Sequence, residues 1–149
     1  MADEQQQDKQ FQIQRVYVKD LSFESPNSPM VFSQEWKPEI NIGIDSKIGN
    51  MGNGLFELVL TVNVEAKQDD KTVFLVEVQQ AGIFLLQGFE QNEVDQLLGI
   101  AAPNILFPYA REAVSDLVTK GSFPQLVLSP INFEAIYAQK MAEEQAATH

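Results

Sequence analysis

The chain of 149 residues contains no cysteine, which excludes disulfides, thiolate zinc sites and cysteine nucleophiles. Histidine is almost as scarce. The sole one is His149, the last residue, so Ser-His-Asp triads, histidine acid–base catalysis and histidine metal sites have no support. Positive charge is also in short supply: 10 Lys and Arg face 21 Asp and Glu, for a formal net charge of -11. A nucleic-acid binder needs the opposite balance to displace counterions. The acidic excess repels anionic membrane surfaces and suits a basic partner, or serves simply as a solubility device. Long apolar runs are missing too. The widest uncharged stretch, residues 96–110, is shorter than the roughly 20 apolar residues of a membrane helix and holds Pro103, Asn104 and Pro108. The opening MADEQQQDKQ has neither the basic nor the apolar region of a signal peptide, and the cytoplasm is the simplest address.

What is present fits one folded domain. Hydrophobic residues make up 44% of the chain, an ordinary globular fraction. Residues 1–10 form a polar, acidic tail expected to be disordered, residues 11–141 the domain, and residues 142–149 a second disordered tail. From Phe11 to Glu24 the odd positions carry Phe11, Ile13, Arg15, Tyr17, Lys19, Leu21 and Phe23, with Val16 and Val18 between, which predicts a strand. ESPNSP ends it. In QEWKPEINIGID, Trp36, Ile40, Ile42 and Ile44 share a parity, and Pro38 favours an edge strand or crossover. SKIGNMGNG is expected to be a flexible turn. The runs LFELVLTVNVEA and TVFLVEVQQAGIFLL, joined by KQDDK, predict a hairpin.

Helical spacing follows Gly88. Asn92 is placed as the cap of a short helix, and Pro103 as the first-turn proline of a longer one reaching Lys120. Pro108 is accommodated if that helix proper begins near Phe107, and Gly121 is placed as its left-handed stop. After Ser129 and Pro130, a last helix aligns Phe133, Ile136, Tyr137 and Met141. The fold class expected is α+β, a four-stranded antiparallel sheet with C-terminal helices packed on it.

Chemical motifs are sparse. GNMGNG lacks the spacing of a dinucleotide loop and the Lys-Ser/Thr of a P-loop. A calcium loop starting at Asp45 fails because Lys47 and Gly49 stand where oxygen ligands are needed. Asp69 and Asp70 fit a turn at least as well as a metal site. No catalytic residue or cofactor is indicated. Two surfaces remain. Asp20 and Glu24, about 13 Å apart at roughly 3.3 Å per residue, join Leu75 and Glu77 as an acidic patch, or as the solvated face of a sheet. Trp36 and the three isoleucines are a binding surface, or core.

The segments FQIQRVYVKDLSFESPN, FLVEVQQAGIF, PNILFPYARE and GSFPQLVLSPINFEA, in that order, resemble the SecB family of bacterial export chaperones. The resemblance spans roughly residues 11 to 140; the loop from Ser46 to Leu55 and both tails match poorly, and a cysteine common in the family is replaced by Val76. It implies a homotetramer, a dimer of dimers, that holds unfolded precursor proteins in the cytoplasm and delivers them to the SecA motor. It implies no ATP use and no cofactor. Asp20, Glu24, Leu75 and Glu77 would dock the basic, zinc-containing C-terminal tail of SecA. Val76, Val78 and Gln80 would belong to the subunit contact, and the apolar stripe of the PNILFPYARE helix would bury itself between subunits. Trp36, Ile40, Ile42, Ile44 and Tyr109 would line a client groove. The alternatives are a SecB-like chaperone of a toxin–antitoxin pair and a non-enzymatic adaptor.

Overall fold

A computed structural model of the protein describes residues 8–147; residues 1–7 and 148–149, parts of the two expected tails, lie outside that range. Four strands, β1 (Gln10–Glu24), β2 (Glu39–Gly52), β3 (Leu55–Gln68) and β4 (Lys71–Gln87), form one sheet in the order β1-β4-β3-β2. All three pairings are antiparallel. Three helices follow: α1 (Gln91–Gln96), α2 (Ala102–Lys120) and α3 (Phe133–Ala147). A π-helical turn, Leu97–Ala101, runs α1 into α2 without a break. The α+β class and the four-stranded sheet are those expected from the sequence.

Period-two alternation divides the sheet. On one face β3 buries Leu58, Leu60, Val62, Val64 and Ala66, and β4 buries Phe74, Val76, Val78 and Phe84. Against them pack Leu106, Phe107, Ala110, Val114 and Val118 of α2 in one core cluster. A fully buried Val or Leu side chain contributes about 1.5–3 kcal/mol, so this face holds the helices on. Among the described residues the other face carries no helix.

β1 is where simple alternation fails. Its pairing with β4 slips at two bulges, between Ile13 and Arg15 and between Val18 and Asp20. Each extra residue inverts the parity beyond it. Phe11, Ile13, Val16, Val18, Leu21 and Phe23 therefore pair with Leu86, Phe84, Gly82, Gln80, Val78 and Val76, all on the helix-covered face. The odd face read from the sequence is corrected: Arg15 and Tyr17 point to the bare side, and Val16 and Val18 do not.

Other local expectations also shift. SKIGNMG is not a turn, because β2 continues to Gly52 and the reversal is confined to Asn53 and Gly54, with φ of 58° and 79°. β2 begins only at Glu39, so Trp36 lies in the crossover from β1, after a 3-10 turn at Met30–Ser33. Asp69 and Asp70 make the β3–β4 turn, with φ of 54° and 60°. Glu90, not Asn92, caps α1: its N–H donates to Glu93 Oε1 at 3.1 Å, half of a capping box. Pro108 sits inside α2, and the orphaned carbonyl four residues back belongs to exposed Asn104. Gly121 has φ -77°, and the left-handed residue is Ser122 at 68°. Gly121 is needed for space instead, since a Cβ there would collide with Phe23 Cζ. The stretch 142–147, expected to be disordered, continues α3.

Candidate functional site

The bare face gathers the acidic residues. Register places Glu24 beside Leu75, which faces Glu65 on β3; Ser22 beside Glu77, which faces Asn63; and Asp20 beside Gln79, which faces Thr61. Asp20, Glu24, Leu75 and Glu77 thus share one face of two adjacent strands, as their parity predicts. Among the described residues, Asp20, Glu24 and Glu77 have no ion-pair partner. Glu65, missed in the sequence, flanks Leu75 on the side opposite Glu24, with Lys67 Nζ 3.1 Å from its Oε1. The alternation of β3 was sufficient to find it.

Further along this face the charge is cancelled. Glu57 on β3 accepts from the Tyr17 hydroxyl and from Lys19 Nζ at 3.0 and 3.1 Å. The Tyr17 hydrogen bond, then that of Lys19, hold its carboxyl below the ordinary range. Burial first, then the bond to Glu57, push the Tyr17 phenol up to about 12. Free negative charge is therefore concentrated at the Glu24–Glu77 end.

The helix-covered face has its own exposed apolar surface where the helices stop short. Ile40 and Ile42 of β2 are exposed, and Ile44 is half-buried against the core. An open cavity of about 690 Å3 between β2 and α3 is lined by Ile44, Ile48, Leu60, Phe133, Ile136 and Tyr137, among others. At the other end of β2, Phe123 is the hub of an aromatic cluster. Its ring lies 5.2 Å from Phe32, 5.6 Å from Trp36, 5.2 Å from Phe74 and 6.3 Å from Phe23. Phe123 is buried, whereas Trp36 and Phe32 are 40% and 50% exposed. Phe32 and Phe123 escaped the sequence reading because neither belongs to a periodic element.

Tyr109 joins neither the aromatic cluster nor the cavity lining, and is exposed on α2. Val76, Val78 and Gln80 need correction as subunit contacts. They are 2%, 0% and 3% exposed within a single chain, and Gln80 Nε2 donates to the Tyr17 carbonyl at 3.1 Å. The α2 stripe is corrected likewise: Leu106, Phe107 and Val114 are covered by the chain's own core. A sheet closed by helices on one side suffices to bury them.

An acidic bare face thus lies opposite an apolar, partly covered one. The family described as Preprotein translocase subunit SecB matches residues 4–144. The chain belongs to the SecB family. Relatives named protein-export protein SecB include one from Methylococcus capsulatus, 54% identical over 98% of this chain and 96% of its own length. Another, from Nitrosococcus oceani, is 55% identical over 97% of this chain and 89% of its own. The solved structure of a Mycobacterium tuberculosis SecB-like chaperone, in complex with a peptide from an antitoxin, superposes with a TM-score of 0.68 at 15% identity. It covers 82% of this chain and 91% of that one, a likeness of fold. This SecB-family chain is a protein-export chaperone.

Proposed function

We propose that the chain holds unfolded precursor proteins in the cytoplasm without ATP and hands them to SecA, using the two sheet faces for the two tasks. Exposed Trp36, Phe32, Ile40 and Ile42, with the cavity at Ile44, offer apolar area to extended client segments. Burial there contributes about 25 cal/mol per Å2. Folded proteins hide such segments, so selection is for clients that fold slowly. On the bare face Glu24, Glu65 and Glu77 adjoin Leu75, with Asp20 farther along β1, and together they complement a basic SecA tail, giving orientation and association rate. The observation that carries this reading is that opposite chemistries sit back to back on one sheet.

Assembly as a dimer of dimers is part of the proposal. Ile13, Val18 and Leu21 are 48%, 46% and 46% exposed along β1, an edge strand. These exposed residues, rather than Val76, Val78 and Gln80, suit a contact with a second copy. Several grooves on one tetramer add avidity, because later client contacts become intramolecular. The toxin–antitoxin reading has only a likeness of fold behind it, whereas relatives at half identity are named for export.

Light scattering behind size-exclusion chromatography tests the proposal. A precursor diluted from denaturant should co-elute with a species near four times the 16.7 kDa chain mass, and the same precursor, already folded, should not. Absence of co-elution for both forms contradicts the holding role.

A further inference from the structure

Residues 35 to 38 lie in neither helix nor strand, yet they carry Trp36, the sole tryptophan of the chain. A single side chain reaches this segment from the end of β3. Gln68 Nε2 donates to the Glu35 carbonyl at 2.7 Å, and Gln68 Oε1 accepts from the Lys37 N–H at 2.8 Å. Its Nε2 also lies 3.5 Å from Gln34 Oε1. One amide thus ties down the peptide groups on both sides of Trp36. Each end of that amide meets the partner it requires, a carbonyl for the NH2 and an N–H for the oxygen. Pro38 then restricts Lys37 to extended backbone.

We infer that Gln68 is a positioning residue: it clamps the crossover at Glu35 and Lys37 and so fixes the Trp36 indole against Phe123 as one wall of the client surface. The role of that wall rests on the client reading above; the clamp itself does not. The geometry supports it at both ends. The β3–β4 turn of Asp69 and Asp70 follows Gln68 directly and anchors it to the sheet. The indole stacks 5.6 Å from Phe123 with 30° between the rings, while 40% of Trp36 stays open to solvent. Without the clamp, neither peptide group beside Trp36 keeps its side-chain hydrogen bond, while the stacking on Phe123 remains.

Trp36 reports on itself. Gln68→Ala in the full-length protein should shift the tryptophan emission to the red and raise its quenching by acrylamide. Gln68→Glu, which keeps the acceptor for Lys37 but loses the donor to Glu35, should fall between Gln68→Ala and the parent. Asn27→Ala is the control, because it removes a different bond between the same crossover and the same hairpin, Asn27 Nδ2 to the Thr72 carbonyl at 2.7 Å. It should leave the emission in place. Unchanged emission in Gln68→Ala, or an equal shift in Asn27→Ala, overturns the clamp. A denatured precursor should bind Gln68→Ala with a several-fold higher Kd, and a basic SecA-tail peptide should bind it unaltered. If Trp36→Ala keeps full precursor affinity, the client reading of Trp36 fails while the emission experiment still decides the clamp. If Trp36→Ala weakens binding and Gln68→Ala does not, the positioning role is overturned.

Discussion

On the helix-covered face, β3 and β4 present Leu60, Val62, Val64, Val76 and Val78 as an unbroken apolar row. The bare face of the same two strands carries Thr61, Asn63, Glu65, Glu77 and Gln79. A helix layer stabilises the first face and leaves part of it greasy at β2; no helix of the described residues packs on the second. Because side chains alternate across a sheet, a substitution on one face leaves the ligand on the other untouched unless it moves the backbone. Two binding tasks can thus be changed separately in one small domain.

The largest expected effect breaks the apolar side at its hub. Phe123→Ala removes the ring on which Phe23, Phe32, Trp36 and Phe74 converge. Urea unfolding should show a loss of about 3–5 kcal/mol, typical of a buried Phe truncated to Ala. Gly121→Ala acts on the same cluster by crowding, since its methyl would meet Phe23 Cζ. A loss of about 1–3 kcal/mol is expected in the same measurement.

On the bare face the effects are smaller and concern binding. Glu65→Gln should weaken a basic SecA-tail peptide by less than about 1 kcal/mol, because the charge is only half-buried and partly met by Lys67. Calorimetric titration at low and high salt checks it, and the difference should shrink as salt rises. Glu57→Gln, farther from the Glu24–Glu77 end, should weaken the peptide by less than Glu65→Gln does, the freed Lys19 being the sole new charge on that face. It should also lower the Tyr17 phenol midpoint from about 12, while burial keeps it above 10.0, as ultraviolet titration would read. Glu57 has its pKa depressed by folding, so its contribution is complete above the ordinary carboxylate value of 4.5. It is lost as pH falls through the lower folded value. Acid titration of the Glu57→Gln protein should lack that loss.

Much of this division was legible in the sequence. The parity of Asp20, Glu24, Leu75 and Glu77 is a local property, and the sheet keeps it. The β3–β4 hairpin was equally readable from its β-branched runs and the Asp69–Asp70 turn. Elsewhere the decisive interactions are not local. Two bulges in β1 move Val16 and Val18 across the sheet, and alternation cannot reveal an inserted residue. The family resemblance assigned Val76, Val78 and Gln80 to a subunit contact, and parity separates faces without saying which face the helices will cover. Phe32, Phe123 and Gln68 act from turns and strand ends, where no period marks them and only the folded chain brings them to Trp36.

Separation of the two faces is the central claim, and paired substitutions test it most directly. Affinities for a basic SecA-tail peptide and for a denatured precursor should be measured by calorimetry on Glu77→Lys and on Ile42→Asp. Glu77→Lys should weaken the peptide at least tenfold, about 1.4 kcal/mol, and leave the precursor as it was; Ile42→Asp should do the reverse. Parallel loss of both ligands in either folded variant would contradict the account.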